Sequence, residues 1–185
     1  GYYSRARNLH KSAIAIMQNH QGSFPSHYDD VLALPGIGPS TAGAILAQAL
    51  NQRHAILDGN VKRVLSRYHA IEGWAGQKNV NRLLWDKAEK HTPQERVDDY
   101  TQAIMDLGAT LCLRSRPKCG HCPVMDECAA FGSDTIALYP TKKPKKKLPI
   151  KKIQMLIIKN DMGSVLLEKR PPTGIWGGLW SLPEI

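Results

Sequence analysis

The 185-residue chain carries 25 lysines and arginines against 16 aspartates and glutamates, a formal net charge of +9, with a pI near 9.5. At 42% apolar and 22% charged residues it is long enough to bury a core and too apolar to be disordered. No apolar run is long enough to cross a bilayer, and the cationic surplus favours a polyanionic partner, most often nucleic acid.

Residues 2–19 predict a helix, with Ala6, Leu9, Ala13, Ile16 and Met17 at helical spacing, Arg5, Arg7 and Lys11 on the other face, and Gly22 to end it. Ser26 and Asp29 have the spacing of a capping box for a short helix that reaches Leu34. Leu34-Pro35-Gly36-Ile37-Gly38-Pro39-Ser40-Thr41-Ala42 reads as a tight glycine hairpin. Pro39 stands at the first turn of the next helix, which runs to Asn51. The apolar run 55–57 ends in Asp58-Gly59-Asn60, and Val61, Val64, Leu65 and Tyr68 mark another amphipathic helix. Two more are predicted. One covers residues 79–90, and the other follows Pro93, carries Val97, Tyr100, Ile104 and Leu107, and stops at Gly108. The class is therefore mainly α up to about residue 131.

Composition then changes. Residues 140–152 hold seven lysines and three prolines, a solvated basic linker spanning roughly 132–152. Residues 153–159 and 164–169 read as strands with a hairpin signal at 160–163, and residues 170–183 read as loop. A second domain of α/β character is expected over 153–185. Two or three strands do not make a stable sheet alone, so it is expected to be truncated. Gly1 in place of Met, and an abrupt last stretch, lead us to expect a piece cut from a longer protein.

All four cysteines lie in one window: Cys112, Cys119, Cys122 and Cys128, spaced C-x6-C-x2-C-x5-C. Disulfides suit small secreted scaffolds, whereas four crowded thiolates suit a soft metal centre. Zinc sites usually show two tight pairs. Here only Cys119 and Cys122 form one, and the wide outer spacings favour a cuboidal [4Fe–4S] cluster.

Gly36 and Gly38 let backbone approach a partner closely, and the free N–H groups of the next helix, near Ser40 and Thr41, suit a phosphate. An ordinary tight turn is the plain alternative. Asp58 is placed to cap a helix. It would also serve as a carboxylate at the edge of the core, aimed into a cleft, with Asn60 sharing the site. Arg114, Arg116 and Lys118, between Cys112 and Cys119, are either a solvated loop or a rigid phosphate clasp. Tyr2 and Tyr3 are packing aromatics or a wedge between bases. His54 and His91 read as structural or surface residues.

Together these motifs resemble one family. The stretch LPGIGPSTAGA at 34–44 is similar to the helix-hairpin-helix of the endonuclease III superfamily, and ILDGNVKRV at 56–64 to its loop with the catalytic aspartate. The cysteine run resembles its [4Fe–4S] loop. GYYSRARNLHKSA at 1–13, Ser40 where lyases of the superfamily carry a catalytic lysine, and RPPTGIWGGLWSLPE at 170–184 resemble the MutY-type adenine DNA glycosylases, whose C-terminal domain is NUDIX-like. The resemblance implies a monofunctional base excision enzyme that hydrolyses the N-glycosidic bond of adenine paired with 8-oxoguanine or guanine. It implies Asp58 as the anion beside a cationic sugar, Asn60 in support, and Tyr2 as the wedge. Gly36, Gly38, Ser40, Thr41, Arg114, Arg116 and Lys118 would bind DNA. The four cysteines would hold the cluster. The expected partner is double-stranded DNA with an adenine mispair, bound by a monomer in the bacterial cytoplasm, at the nucleoid and away from membranes. The family's general acid, a glutamate, is expected upstream of Gly1, so the segment by itself is expected to be inactive.

Three rivals differ in class. A pyrimidine-specific glycosylase with lyase activity needs an amine that Ser40 lacks, although Lys62 stands one turn after Asp58. A non-catalytic DNA-binding module with a structural metal leaves Asp58 without a function. A NUDIX hydrolase needs an acidic metal-binding helix that the sequence does not contain.

Overall fold

The computed structural model describes residues 3–145 and 149–185, which form two compact units, 1–144 and 145–185. The first unit is helical. Helices α1 (Tyr3–Asn19), α2 (Tyr28–Ala33), α3 (Pro39–Leu50), α4 (Gly59–Tyr68), α5 (Lys78–His91) and α6 (Val97–Asp106) follow in order, and a short α7 (Ala129–Gly132) closes the cysteine loop.

Helix α4 is central. Its Val61, Val64 and Leu65 join Ala55, Ile56 and Leu57 from the preceding segment, Val80, Leu84 and Ala88 of α5, and Ile104 of α6 in one buried cluster. A smaller cluster, Val31, Ala42 and Leu46, packs α2 on α3. Gly43 lets α3 lie directly on the segment before α4, because a Cβ there would come 2.5 Å from the Ala55 carbonyl oxygen.

Helix α1 departs from its sequence pattern. Leu9 and Met17 are 74% and 68% exposed, while Ser12 is buried and donates its hydroxyl to the Pro35 carbonyl at 2.9 Å. The helix docks on the hairpin through Asn8 and Ser12, so its apolar periodicity does not mark the buried face among the described residues. Gly22 does end it as expected, with φ +81° and its N–H on the Ile16 carbonyl. The capping box at Ser26 does not form. Residue N-cap of α2 is His27, without a side-chain cap, and the Ser26 carbonyl accepts from Gln52 instead. Gly108 does not stop the chain's helical path either. The α-helical part ends at Asp106, and a π-helical turn, Leu107–Leu111, carries it to Cys112, whose N–H bonds the Leu107 carbonyl at 2.8 Å.

Thr101 on α6 is fully buried, and its hydroxyl has no hydrogen-bond partner among the described residues. Valine has nearly the same shape and no polar atom to desolvate. Thr101→Val is expected to stabilise the fold by about 1 kcal/mol, read as a melting temperature raised by about 2–4 °C.

His69 and His91 join the ends of α4 and α5, with their Nε2 atoms 2.8 Å apart. Burial, helped by the charge of Lys87, lowers the His69 pKa to about 4, and burial and Lys87 lower that of His91 as well. The folded state thus prefers neutral imidazoles. Their contribution is intact above the ordinary histidine pKa of about 6.5 and is lost as pH falls from there towards about 4. Urea unfolding across that window should show stability falling, and His69→Phe should flatten the slope.

In the second unit the predicted strands are fewer and shorter than the apolar runs. The hairpin turn at 160–163 forms, with Asn160 N–H on the Ser164 carbonyl and Gly163 at φ +82°. Beyond it, pairing among the described residues is limited to single bridges, Met155 with Glu184 and Lys159 with Val165, and one antiparallel ribbon. That ribbon is β1 (Glu168–Lys169) with β2 (Trp180–Ser181), so part of the expected loop is strand. Strands are held by partners far away in sequence, which local alternation does not reveal.

Candidate functional site

The hairpin between α2 and α3 turns at Gly36, whose φ of +81° excludes most side chains, and a Cβ there would meet Asn8 at 2.6 Å. Gly38 caps α3 and has open space beside it. Thr41 is exposed and Ser40 half-buried. The first turn of α3 therefore presents backbone N–H groups to a free surface, as an anion site requires.

Ser40 also has a partner inside the fold. Its Oγ accepts the Leu57 N–H at 2.9 Å, one residue before Asp58, which fastens the start of α3 to the start of α4. Asp58 is the N-cap of α4. Its Oδ1 accepts the Val61 N–H at 2.8 Å, whereas Oδ2 accepts no hydrogen bond among the described residues. The helix cap and a functional carboxylate are thus compatible. One oxygen orients the group, the other is available, and the residue stays half-exposed at the positive end of α4.

Asn60 links this point to the cysteine loop. Its Oδ1 accepts from Arg63 Nη2 at 2.8 Å; Arg63 also donates to the carbonyls of Gly108 and Cys112, both at 2.7 Å. Gly108 is needed for that approach, since a Cβ would come 2.7 Å from the Asn60 Cβ. One turn later, buried Arg67 donates to Cys112 Sγ at 3.3 Å and to the carbonyls of Leu113, Arg114 and Tyr139.

The four cysteines are unpaired and line one cavity with Val64, Leu111, Val124, Phe131 and Ile136. Burial raises the Cys119 pKa, with Cys112 and Cys128 adding to the rise, Arg67 opposing it, and Cys122 contributing last. The sulfurs thus share one electrostatic neighbourhood. No three of the described His, Cys, Asp or Glu side chains stand as ligands around a single ion. Four sulfurs around an apolar cavity, with an N–H···S bond to one of them, fit a larger thiolate-bound group. Arg114, Arg116 and Lys118 sit on the outside of this loop. All three are exposed, without a side-chain hydrogen bond or ion pair among the described residues. The Lys118 N–H closes the loop onto the Leu111 carbonyl at 2.9 Å.

The structure thus brackets Asp58 between two anchors: Ser40 holds the main chain one residue before it, and Asn60, two residues after it, reaches the cysteine loop through Arg63. Tyr2 lies outside the described residues. Sequence reasoning missed Arg63, Arg67 and Gly108. The available signal was the i, i+3, i+7 spacing of Asn60, Arg63 and Arg67 on one stripe of α4.

Residues 1–90 match the model of the HhH-GPD superfamily of base excision DNA repair proteins, and residues 154–185 match a NUDIX domain. The first 90 residues, about half of the chain, are thus similar to the HhH-GPD superfamily. An adenine DNA glycosylase of Buchnera aphidicola from Acyrthosiphon pisum is 42% identical over 184 residues, which is 100% of this chain and 52% of that protein. A thermostable thymine-DNA glycosylase superposes with a TM-score of 0.62 at 28% identity, covering 70% of this chain and 59% of that one. An endonuclease III in a non-covalent DNA complex shares the fold with a TM-score of 0.60 at 23% identity, over 72% and 60% of the two chains. The chain spans about half the length of the curated bacterial relatives it matches.

Proposed function

We propose that the protein is a monofunctional adenine DNA glycosylase that acts on adenine opposite 8-oxoguanine or guanine. The observation that supports this most is Asp58 fixed at the start of α4 by its cap bond, between the Ser40 anchor at Leu57 and the Asn60–Arg63 link to the cysteine loop, in a chain 42% identical over 184 residues to an adenine DNA glycosylase. The hairpin N–H groups and the cations Arg114, Arg116 and Lys118 hold the phosphates of duplex DNA on two sides of Asp58. The target adenine leaves the stack. Protonation of its ring belongs to the glutamate that the family resemblance implies, which no motif matched in this chain contains. As the C–N bond lengthens, positive charge grows on the sugar, and the free oxygen of Asp58 stabilises it and directs water. The cap bond from Val61 fixes the carboxylate's direction before the reaction, so no reorganisation is needed at the transition state.

Cys112, Cys119, Cys122 and Cys128 are proposed to hold a [4Fe–4S] cluster, which when bound supplies a rigid core for the cationic loop. Arg63 and Arg67 orient its first ligand from both the main chain and the sulfur side.

Ser40 decides between hydrolysis and lyase chemistry. Its hydroxyl cannot form an imine, and it is engaged with Leu57. With the natural full-length protein and an adenine·8-oxoguanine duplex, strand breaks should form only after alkali, and borohydride should trap no protein–DNA adduct. An adduct forming as fast as base is lost would assign the chemistry to an amine and overturn the monofunctional reading.

A further inference from the structure

Arg67 is 3% exposed, yet it belongs to none of the ion pairs among the described residues, which are Arg53–Glu89, Arg96–Asp99 and Arg170–Glu184. Its partners are three neutral carbonyls and one sulfur: Tyr139 O at 3.0 Å, Leu113 O at 2.7 Å, Arg114 O at 3.3 Å and Cys112 Sγ at 3.3 Å. A buried guanidinium without an anion is strongly disfavoured, and carbonyl bonds return only part of its lost hydration. The nearby groups able to supply negative charge are the cysteine sulfurs, of which Cys112 accepts directly from Arg67 and Cys128 places its Sγ 3.6 Å from the Arg67 carbonyl.

Resting on the cofactor reading above, we infer that Arg67 is a positioning residue with two linked tasks: it balances the charge of the thiolate-bound cluster, and it fixes where the cationic loop and the lysine-rich segment begin. The second task follows from the same grip. Leu113 and Arg114 begin the cationic loop, and Tyr139 begins the lysine-rich segment. The first residues of that segment, still within the first unit, are then fixed by the Gly73 N–H on Thr141 Oγ1 at 3.1 Å and by Lys143 over the Trp74 ring at 5.3 Å. Arg63 differs in kind. It reaches the main chain of Cys112 and no sulfur, so it orients without touching the charged group.

A purely structural hydrogen-bond hub and a counter-charge predict different results. If Arg67 balances the cluster, a neutral side chain lowers the reduction potential, because a cation beside the cluster favours the added electron. It also loosens iron retention, by roughly ten- to a hundredfold in the rate of loss to a chelator, the usual range for residues that orient metal ligands. Once iron is removed, however, the same neutral variant is no less stable than the wild type, because the apo-protein carries an uncompensated buried charge that the variant lacks.

The test uses the natural full-length protein, its Arg67→Gln variant and its Arg67→Lys variant. Iron and acid-labile sulfide, midpoint potential and melting temperature are measured with and without the cluster. R67Q should show the lower potential, the faster iron loss, and destabilisation confined to the holo-protein. R67K keeps the charge and should hold the wild-type potential, while the chain around residue 140 becomes more open to limited proteolysis. An R67Q potential equal to the wild type, an R67K potential as low as R67Q, or equal destabilisation of holo- and apo-protein would each overturn the inference. If R67Q does not fold, R67K against wild type decides it, since a lowered R67K potential contradicts a charge role. Wild-type protein without iron and sulfide overturns the cofactor reading itself, an outcome distinct from any of these.

Discussion

Asp58→Asn in the natural full-length protein is expected to abolish adenine release from an adenine·8-oxoguanine duplex while leaving fold and DNA affinity intact. The structure makes this substitution unusually clean. Asparagine is as good an N-cap as aspartate, so its Oδ1 can still accept the Val61 N–H and start α4. The shape and the cap survive, and only the carboxylate's charge is lost. A missing charge at a cationic transition state costs roughly 3 kcal/mol or more, a rate loss of at least about a hundredfold in single-turnover release of adenine. Asp58→Ala should add a stability loss of about 1 kcal/mol, because the cap goes as well. An Asp58→Asn enzyme within a few-fold of the wild type would confine Asp58 to its structural task.

Removing Arg114, Arg116 and Lys118 together is expected to change binding rather than chemistry. Their side chains are exposed and unbonded among the described residues, while their backbone is fixed by Arg67 and by Lys118 N–H on Leu111. Alanine at all three should leave the loop folded. Each phosphate contact contributes nearly one unit to the salt dependence of duplex affinity, so the slope of log K against log salt should fall by about three units. Single-turnover rates at saturating protein should stay near the wild type. A slope equal to that of the wild type would show that this loop does not touch the backbone.

How much of this was legible in the sequence varied by residue. The hairpin was readable because Gly36, Gly38 and Pro39 act locally, through φ and through a missing N–H, and the structure places α3 at Pro39. The start of α4 was readable because Asp58-Gly59-Asn60 is turn and cap chemistry. The grouping of four cysteines was readable from spacing, and they do line one cavity. Apolar periodicity assigns Arg63 and Arg67 to solvent, and only their spacing with Asn60 on one stripe of α4 pointed inward. Arg67 is nevertheless buried by partners 45 to 72 positions away, a long-range fact. The π-helical turn was hidden for a related reason. Gly108 reads locally as a stop, but here its missing Cβ admits Asn60. In α1, Ser12 rather than Leu9 or Met17 faces the fold, since the hairpin carbonyl it meets needs a donor.

The most direct measurement is the release of free base by the full-length protein under single-turnover conditions from two duplexes, one with adenine opposite 8-oxoguanine and one with an oxidised pyrimidine opposite guanine. Stoichiometric release of adenine from the first, with no base lost from the second, is the predicted result; release of the oxidised pyrimidine with adenine left in place would contradict it.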